Sequence, residues 1–518
     1  MRQIIIIFIL FSSKIIAQPA PLSWSKNFGG AAYEHAQKII TTSDGGSILI
    51  GSTNSFDGDV EGIHFATDVW VIKLDSSGES EWTKCLGGDG IDEGYDIIEL
   101  STGGYVLVGN SNSQDGDVSG VHDVFQDAWI VRLDEDGEID WATSIGGNSV
   151  EYFYGLAQSG SNFIAVGLSC SNDEYISDGQ GACDIFIVNV DFAGAMGTYY
   201  KYGSAWNDRA NSIAATPDGG FIIAAEIGGD GGNVNETFGQ TDIWLIKTDY
   251  SGELQWQKTL GGSAMDVPRR IKVLIDGSIL LCAESSSTDG DLSENNGLYD
   301  GWLVKLSATG TIQWQRSLGG PSYDGTFDAI ELSNQNIVSV SEVYSPAVAG
   351  DLTPHGSTDI VLASHDINGN LLWEAWYGGS SSERPYSIAK IDDDRWIIAG
   401  ESNSNDGDIA DPKGNDDVFV FQIGDQDIAT NADFYPKKMS IYPQPAKDFT
   451  SFSLPIGVNA KNYIVIDALG RCIQSQKLNN ENELTITTSD LSYGIYWIQF
   501  ETNQGIIHAK FCVTQNAQ

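Results

Sequence analysis

Apolar positions fall into short runs of strand length, not into the long stripes of amphipathic helices. Between Ile91 and Gly147 the runs YDIIEL, GYVLVGNS, AWIVRLD and IDWATSI are rich in β-branched and aromatic residues and are separated by Gly, Asp and Asn turns. That block of about 58 residues recurs until the chain is nearly used up. One aspartate keeps its register, standing before the third run at Asp68, Asp127, Asp184, Asp242, Asp300, Asp359 and Asp417, with steps of 59, 57, 58, 58, 59 and 58. A fixed period of this size signals a solenoid, a propeller or an array.

Four up-and-down strands per unit make one twisted blade, and blades hide their edges by packing radially around a channel. Six third strands are followed by a fourth that carries an aromatic residue, at Trp82, Trp141, Tyr199, Trp256, Trp314 and Trp373. The seventh, Val418 to Ile423, has no such follower, while the chain opens with an orphan fourth strand, Trp24 to Gly30. Pairing orphan with vacancy removes two open edges that would otherwise invite aggregation. The expectation is an all-β chain: a seven-bladed β-propeller over residues 22–427, closed by its N-terminal strand. Beyond a linker at 428–438, the alternating runs NYIVIDA and GIYWIQF predict a small β-sandwich at 439–518.

In such a blade the loop between strands two and three and the connection to the next blade share one face, and here these are long and acidic. The opposite face has short turns such as Asp44-Gly45-Gly46, so function is expected on the long-loop face. A second sevenfold carboxylate stands there at Glu34, Asp92, Glu151, Asp208, Asp266, Asp324 and Glu383. Paired acids can do acid–base work, but a catalytic pair is asymmetric and these recur in every blade, as residues that tie loops through backbone N–H groups do. The triplet DGD recurs at Asp57 to Asp59, Asp115 to Asp117, Asp289 to Asp291 and Asp406 to Asp408, with Asp68, Asp127, Asp300 and Asp417 following 11 or 12 residues after each first aspartate. Alternating aspartates around glycine can ligate Ca²⁺, which takes six to eight oxygens; they are also ordinary turn chemistry. Calcium is the one cofactor this pattern suggests, through Asp57, Asp59, Asp68, Asp115, Asp117, Asp127, Asp289, Asp291, Asp300, Asp406, Asp408 and Asp417.

Three residues after the second acid ring come Gln37, Tyr95, Tyr154, Asn211, Arg269, Phe327 and Tyr386, at the start of the strand expected to line the channel. Aromatic faces beside carboxylates suit sugars or peptide side chains, and aromatic residues equally serve packing between blades. Tyr95, Tyr154, Arg269, Phe327 and Tyr386 are therefore the candidate ligand contacts. The six histidines show no metal-ligand spacing, and no nucleophile motif or phosphate loop is present.

Composition adds an address. Met1 to Ala17 joins Arg2 to the apolar run IIIIFILF and ends on a small residue, which reads as a secretory signal peptide, and no later stretch is long enough for a membrane helix. Export permits disulfides, and Cys170 and Cys183 share one long loop, where a bridge is expected; Cys85 and Cys282 read as buried thiols, and the pairing of Cys472 and Cys512 stays open. With 27 Lys and Arg against 71 Asp and Glu, a net charge of −44 excludes nucleic acid and anionic membrane surfaces as partners.

The segments KLDSSGESEW, RLDEDGEIDW and KTDYSGELQW resemble the tryptophan-bearing repeats of quinoprotein-like propellers, a likeness of strand-turn-strand only. The whole repeat resembles arrays found in secreted Bacteroidota proteins, which implies no particular activity. After the linker, Ile441-Tyr442-Pro443-Gln444-Pro445-Ala446, Asp467-Ala468-Leu469-Gly470-Arg471, Leu491-Ser492-Tyr493-Gly494-Ile495-Tyr496 and Lys510-Phe511 resemble the type A C-terminal sorting domain of type IX secretion. Pro443, Pro445, Gly470, Arg471, Gly494, Tyr496 and Lys510 carry that likeness. It implies delivery to the periplasm, reading of the tail by the outer-membrane secretion machinery, and a propeller released or held at the cell surface.

The favoured reading is a monomeric recognition module, not an enzyme, that presents an acidic face to a glycan or a surface protein. The alternative is a secreted propeller enzyme, a hydrolase or lyase at the channel mouth. That alternative needs an asymmetric cluster of acid, base and cation in adjacent blades, toward which only Arg269, Arg270 and Arg384 point.

Overall fold

The structure is a computed structural model that describes residues 21–120, 125–160, 162–173, 175–344, 356–409, 412–424, 440–442, 446–454, 459–467, 471–489, 491–492, 494–502 and 505–514. The expected signal peptide and linker, with Pro443, Pro445 and Gly470, lie outside the described residues. The chain divides into two units, 1–426 and 427–518.

The first unit is a seven-bladed propeller of four-stranded antiparallel sheets. Blade 1 runs Glu34–Thr41, Ser47–Thr53, Asp68–Leu74 and Ser80–Leu86 from channel to rim, and five further blades repeat that order. Blade 7 takes only three strands from its own repeat, Glu383–Lys390, Trp396–Ser402 and Asp417–Ile423. Its fourth is Leu22–Phe28, antiparallel to Asp417–Ile423 with Lys26 opposite Val420. The middle strands alternate between two buried faces, so their residues read as continuous apolar runs, and the core is a set of clusters shared by neighbouring blades. Ile397, Ala399, Val418 and Val420 of blade 7 pack with Ile39, Leu49 and Trp70 of blade 1. The third residue of the third strand is the largest core piece, fully buried as Trp70, Trp129 and Trp244.

The rim aromatic has a fixed partner. Trp82 and Trp141 cover the turn glycines Gly137 and Gly194 of the following blades, which sit at φ +79° and +84° where a side chain would be strained and would strike the indole. Trp24 of the orphan strand covers Gly78 in the same way, so the N-terminal strand fills the structural place of a fourth strand as well as its hydrogen bonds.

The inner strands share one irregularity. In each blade the pairing of first and second strands slips by one residue, between Ala36 and Lys38, Gly94 and Asp96, Phe153 and Gly155, Ala210 and Ser212, Pro268 and Arg270, Thr326 and Asp328, and Pro385 and Ser387. A β-bulge of this kind leaves one residue out of the ladder and re-aims its side chain. The second unit is a β-sandwich-like pair of sheets, one of three strands and one of four, around Phe452, Tyr463, Val465, Ile498 and Phe500.

Removing Leu22–Phe28 leaves Asp417–Ile423 as an open edge and uncovers Gly78. The deletion is expected to lower the melting temperature of the propeller by more than 10 °C, roughly the effect of losing several buried apolar side chains. A deletion variant that melts with the parent would show that the strand does not close the ring.

Candidate functional site

The two sevenfold carboxylate rings are structural. Each acid of the inner-strand ring is buried and accepts the backbone N–H of the residue four before it, at 2.6–3.0 Å: Gly30 to Glu34, Gly88 to Asp92, Gly147 to Glu151, Ser204 to Asp208, Gly262 to Asp266, Gly320 to Asp324 and Gly379 to Glu383. The marker aspartates do the same for their own loops, with His64 donating to Asp68 at 3.1 Å, Phe238 to Asp242 at 2.8 Å, Asn296 to Asp300 at 2.6 Å and Lys413 to Asp417 at 2.5 Å. Asp127 lies fully buried at the same strand position.

The DGD triplets act as clasps on the connection between blades. Asp57, Asp115, Asp289 and Asp406 accept from Ala31, Asp89, Ser263 and Ser380 at 2.7–2.9 Å. Asp59, Asp117, Asp291 and Asp408 accept from Gly29, Gly87, Gly261 and Gly378 at 3.1–3.3 Å. The glycine between them has positive φ and lies so close to the preceding blade's connection that a Cβ at Gly58 would run into the Gly29 carbonyl oxygen. Among the described residues no three acids, histidines or cysteines gather as a metal site. Cys170 and Cys183 are joined in a disulfide, and Cys85 and Cys282 are buried free thiols.

The side chains that differ from blade to blade meet at the channel mouth. The residue expelled from the ladder by each bulge is Gln37, Tyr95, Tyr154, Asn211, Arg269, Phe327 or Tyr386, and all seven line one cavity of about 190 Å³. Tyr95, Tyr154, Arg269, Phe327 and Tyr386 are thus brought together. Tyr95 meets Tyr154 edge to face at 4.8 Å, Phe327 meets Tyr386 at 5.6 Å, and the Arg269 guanidinium lies 5.1 Å above Phe327. Burial raises the Tyr154 phenol to about 12, the nearby Arg209 working against it, so the hydroxyl stays protonated.

Sequence reading missed the acids that flank these residues. The inner-strand position two before the bulge pairs with one second-strand residue per blade: Arg209 with Glu226, Val267 with Glu284, Gly325 with Glu342 and Arg384 with Glu401. Blades 1 to 3 place Ser52, Asn110 and Leu168 there, so four consecutive blades are acidic and three are not. The signal was present as a glutamate recurring at steps of 58, 58 and 59 in the last four repeats only.

Each of these acids meets a cation. Arg209 reaches Glu226 at 2.8 Å, Arg269 reaches Glu284 at 2.8 Å, and Arg384 reaches Glu342 at 3.0 Å and Glu401 at 3.5 Å. Glu401 also accepts the Tyr386 hydroxyl at 3.0 Å and meets His35 Nδ1 at 2.7 Å. The bond to Glu401 raises the His35 pKa above its ordinary value, against the effect of burial. Burial raises the pKa of Glu226 and of Glu342, with their arginines opposing it.

Over blades 5 to 7 the mouth widens into a groove of about 490 Å³ that shares Arg269, Phe327 and Tyr386 with the central cavity. Val267 and Gly325 are the small residues beneath it, and Glu284, Glu342 and Arg384 line it. Its outer end is aromatic: Tyr299 stacks on Tyr323 at 5.4 Å, Tyr344 meets Tyr323 edge to face at 6.5 Å, and Tyr323 and Tyr344 are exposed.

In the C-terminal unit Gly494 opens the strand Gly494–Thr502, Tyr496 is buried with its hydroxyl donating to the Ser492 carbonyl at 2.9 Å, Lys510 pairs with Trp497 in the adjacent strand, and Arg471 is exposed. Residues 440–514 match the family model described as the secretion system C-terminal sorting domain. The second unit is a type IX sorting domain. The chain is thus a propeller protein exported through the periplasm to the outer surface or beyond, with the type IX machinery as the partner that reads its tail.

No curated protein matches the chain. Among solved structures it is similar to a puromycin hydrolase, with 12% identity and a TM-score of 0.42 over 84% of this chain and 61% of that one. It is similar to a PL25 ulvan lyase, a polysaccharide lyase, with 8% identity and a TM-score of 0.45 over 77% of this chain and 96% of that one. Sqt1 from Chaetomium thermophilum is similar at 11% identity and a TM-score of 0.40, over 78% of this chain and 100% of that one. The chain spans 61% to 62% of the puromycin hydrolase structures it matches. These likenesses concern the fold. The expectation that the chain is not an enzyme is corrected: a propeller fold by itself gives no ground for it.

The ring acids also predict how stability depends on pH. Burial raises the pKa of Asp92, Glu151, Asp266 and Glu383, and lifts Asp208 to about 6, against the hydrogen bonds that lower it. A carboxyl with a folded pKa above its unfolded value holds more protons when folded, so its contribution is full below about pH 4 and is lost as pH rises through about 6. The propeller is expected to melt higher at about pH 5 than at about pH 7.5, and Asp208→Asn to flatten that slope by about 1 kcal/mol. Melting curves at both pH values for parent and variant check this; equal slopes would rule it out.

Proposed function

We propose that the protein is a secreted glycan-cleaving enzyme whose substrate lies along the groove over blades 5 to 7. The observation that carries the reading is the placement of Glu284 and Glu342, from neighbouring blades, in one groove with different surroundings. Glu342 is buried and its pKa is raised, which suits a group that must hold a proton to give to a leaving oxygen. Glu284 is more open and ion-paired to Arg269, which suits a carboxylate that acts as base or nucleophile. This is the asymmetric combination of acid, base and cation in adjacent blades that the two symmetric rings lack.

The surroundings favour a sugar polymer. Tyr323 and Tyr344 offer exposed aromatic faces at the outer end of the groove, and the buried Phe327 and half-buried Tyr386 line it where it meets the mouth. Arg384 spans Glu342 and Glu401 and sets the position of both. His35 and Tyr386 fill the remaining bonds of Glu401, which holds that acid as a support for Arg384. Export through the periplasm places the groove where extracellular polysaccharides are met.

The test is incubation of the mature protein with a panel of neutral and acidic polysaccharides, measuring new reducing ends, with ultraviolet absorbance of an unsaturated end to distinguish elimination from hydrolysis. Glu342→Gln and Glu284→Gln are each expected to lower kcat by about 100-fold or more while folding is retained. Because the acid acts when protonated, the rate is expected to fall as pH rises through the raised pKa of Glu342, and Arg384→Gln to move that fall to higher pH. Cleavage that is equally fast in both glutamine variants, or no cleavage of any polymer, would sink the proposal.

A further inference from the structure

One residue further along each inner strand, the residues that follow the bulges form another ring: Lys38, Asp96, Gly155, Ser212, Arg270, Asp328 and Ser387. It opens into a cavity of about 420 Å³ on the far side of the mouth. Four cations line that cavity, Lys38, Arg270, Lys272 and Lys390, against two acids, Asp96 and Asp328. In a chain with 27 basic and 71 acidic residues this local surplus of positive charge reverses the overall balance.

Three of the four cations are already matched. Lys38 pairs with Asp96, Lys272 with Asp328 at 2.7 Å, and Lys390 with Asp393 at 2.5 Å. The two acids are committed further to the backbone, Asp96 accepting from the Leu156 N–H at 3.0 Å and Asp328 from the Ile388 N–H at 3.1 Å. Arg270 forms no ion pair among the described residues. Its Nη2 reaches across the channel from blade 5 to the Gln37 carbonyl of blade 1 at 3.4 Å, and its Nε is buried without a hydrogen-bond partner. Arg270 lines both the mouth cavity and the lower cavity, so its guanidinium, which against the effect of burial joins Lys272 in holding the Asp328 pKa down without forming an ion pair with it, is at the waist between them. Burial pushes the Lys38 pKa down, and although Asp96 opposes this, Arg270 and Lys272 add repulsion, as expected where positive charge lacks a counterion.

We infer that the waist is an oxyanion-binding subsite, in which Arg270, with Lys38 beside it, takes a carboxylate or sulfate group carried by the glycan in the mouth. A guanidinium without a carboxylate partner attracts such groups through charge-assisted N–H bonds, and the low-dielectric channel strengthens them. The assignment of the anion to a glycan rests on the proposed function; the anion site itself does not. It narrows the substrate to an acidic polysaccharide with one charged group directed down the channel.

The experiment titrates the mature full-length protein with sodium sulfate and with sodium glucuronate by calorimetry, against sodium chloride at matched ionic strength and against glucose. Saturable binding of sulfate and glucuronate is expected, with none for glucose. Arg270→Gln is expected to weaken it about 10- to 100-fold, and Arg270→Lys to weaken it less. Glu342→Gln should bind the anions as the parent does, so a failure of catalysis leaves this result readable. No saturable binding by the parent overturns the inference even if the variants fail to fold, and so does undiminished binding by a folded Arg270→Gln. Binding of sulfate without glucuronate would assign the waist to free inorganic anions and overturn the acidic-glycan assignment.

Discussion

The propeller depends on carboxylates removed from water and turned toward the backbone. Each connection between blades places its N–H groups away from any sheet partner, and an unpaired amide in a dry junction costs about 1–3 kcal/mol. An acid four residues on, at the start of the next blade, accepts one of them in all seven blades, and in four of them the DGD clasp of the following loop accepts two more. Burying a carboxylate is itself unfavourable, as the raised pKa of Asp208 shows, and it is tolerated because several donors converge on each group. Seven repetitions of one local solution give a ring rigid enough for single residues to be varied along its inner edge.

That variation is where function can reside. The bulge in each inner strand lifts one side chain out of the hydrogen-bond ladder, so its identity is free of the constraints of sheet pairing. Symmetry is kept in the backbone and abandoned in the side chains. Arginine lines the mouth in blades 4 and 5 and the adjoining groove in blade 7, aromatic residues line the mouth in blades 2, 3, 6 and 7, and glutamate lies behind them only from blade 4 onward.

Much of this was legible in the sequence, and the reason differs from part to part. Blade number followed from the period and from matching Trp24 to the vacancy after Ile423, because edge strands must be covered. The structural role of the acid rings followed from their recurrence. The mouth residues were found by their offset from an acid, which happens to coincide with the bulge. The groove acids were missed because Glu226, Glu284, Glu342 and Glu401 stand in the second strand, where residues are expected to pack, and only the register across the slipped ladder brings them beside the inner strand. The isolation of Arg270 was not readable at all: its contact at Gln37 crosses the channel between blades distant in the repeat order.

Closing the ring with Leu22–Phe28 also sets the order in which the molecule can be made. Leu22 pairs with Ile423, residues at opposite ends of the propeller, and the entropy of joining such distant segments must be met before their contacts form. An exported chain emerges N-terminus first, so the strand that locks the structure is the earliest to arrive and must wait for the last blade. Until the whole repeat array has crossed, blade 7 has no fourth strand and Gly78 no cover. The topology thereby delays completion of the fold until export across the inner membrane is finished, which keeps the chain threadable for as long as it needs to be.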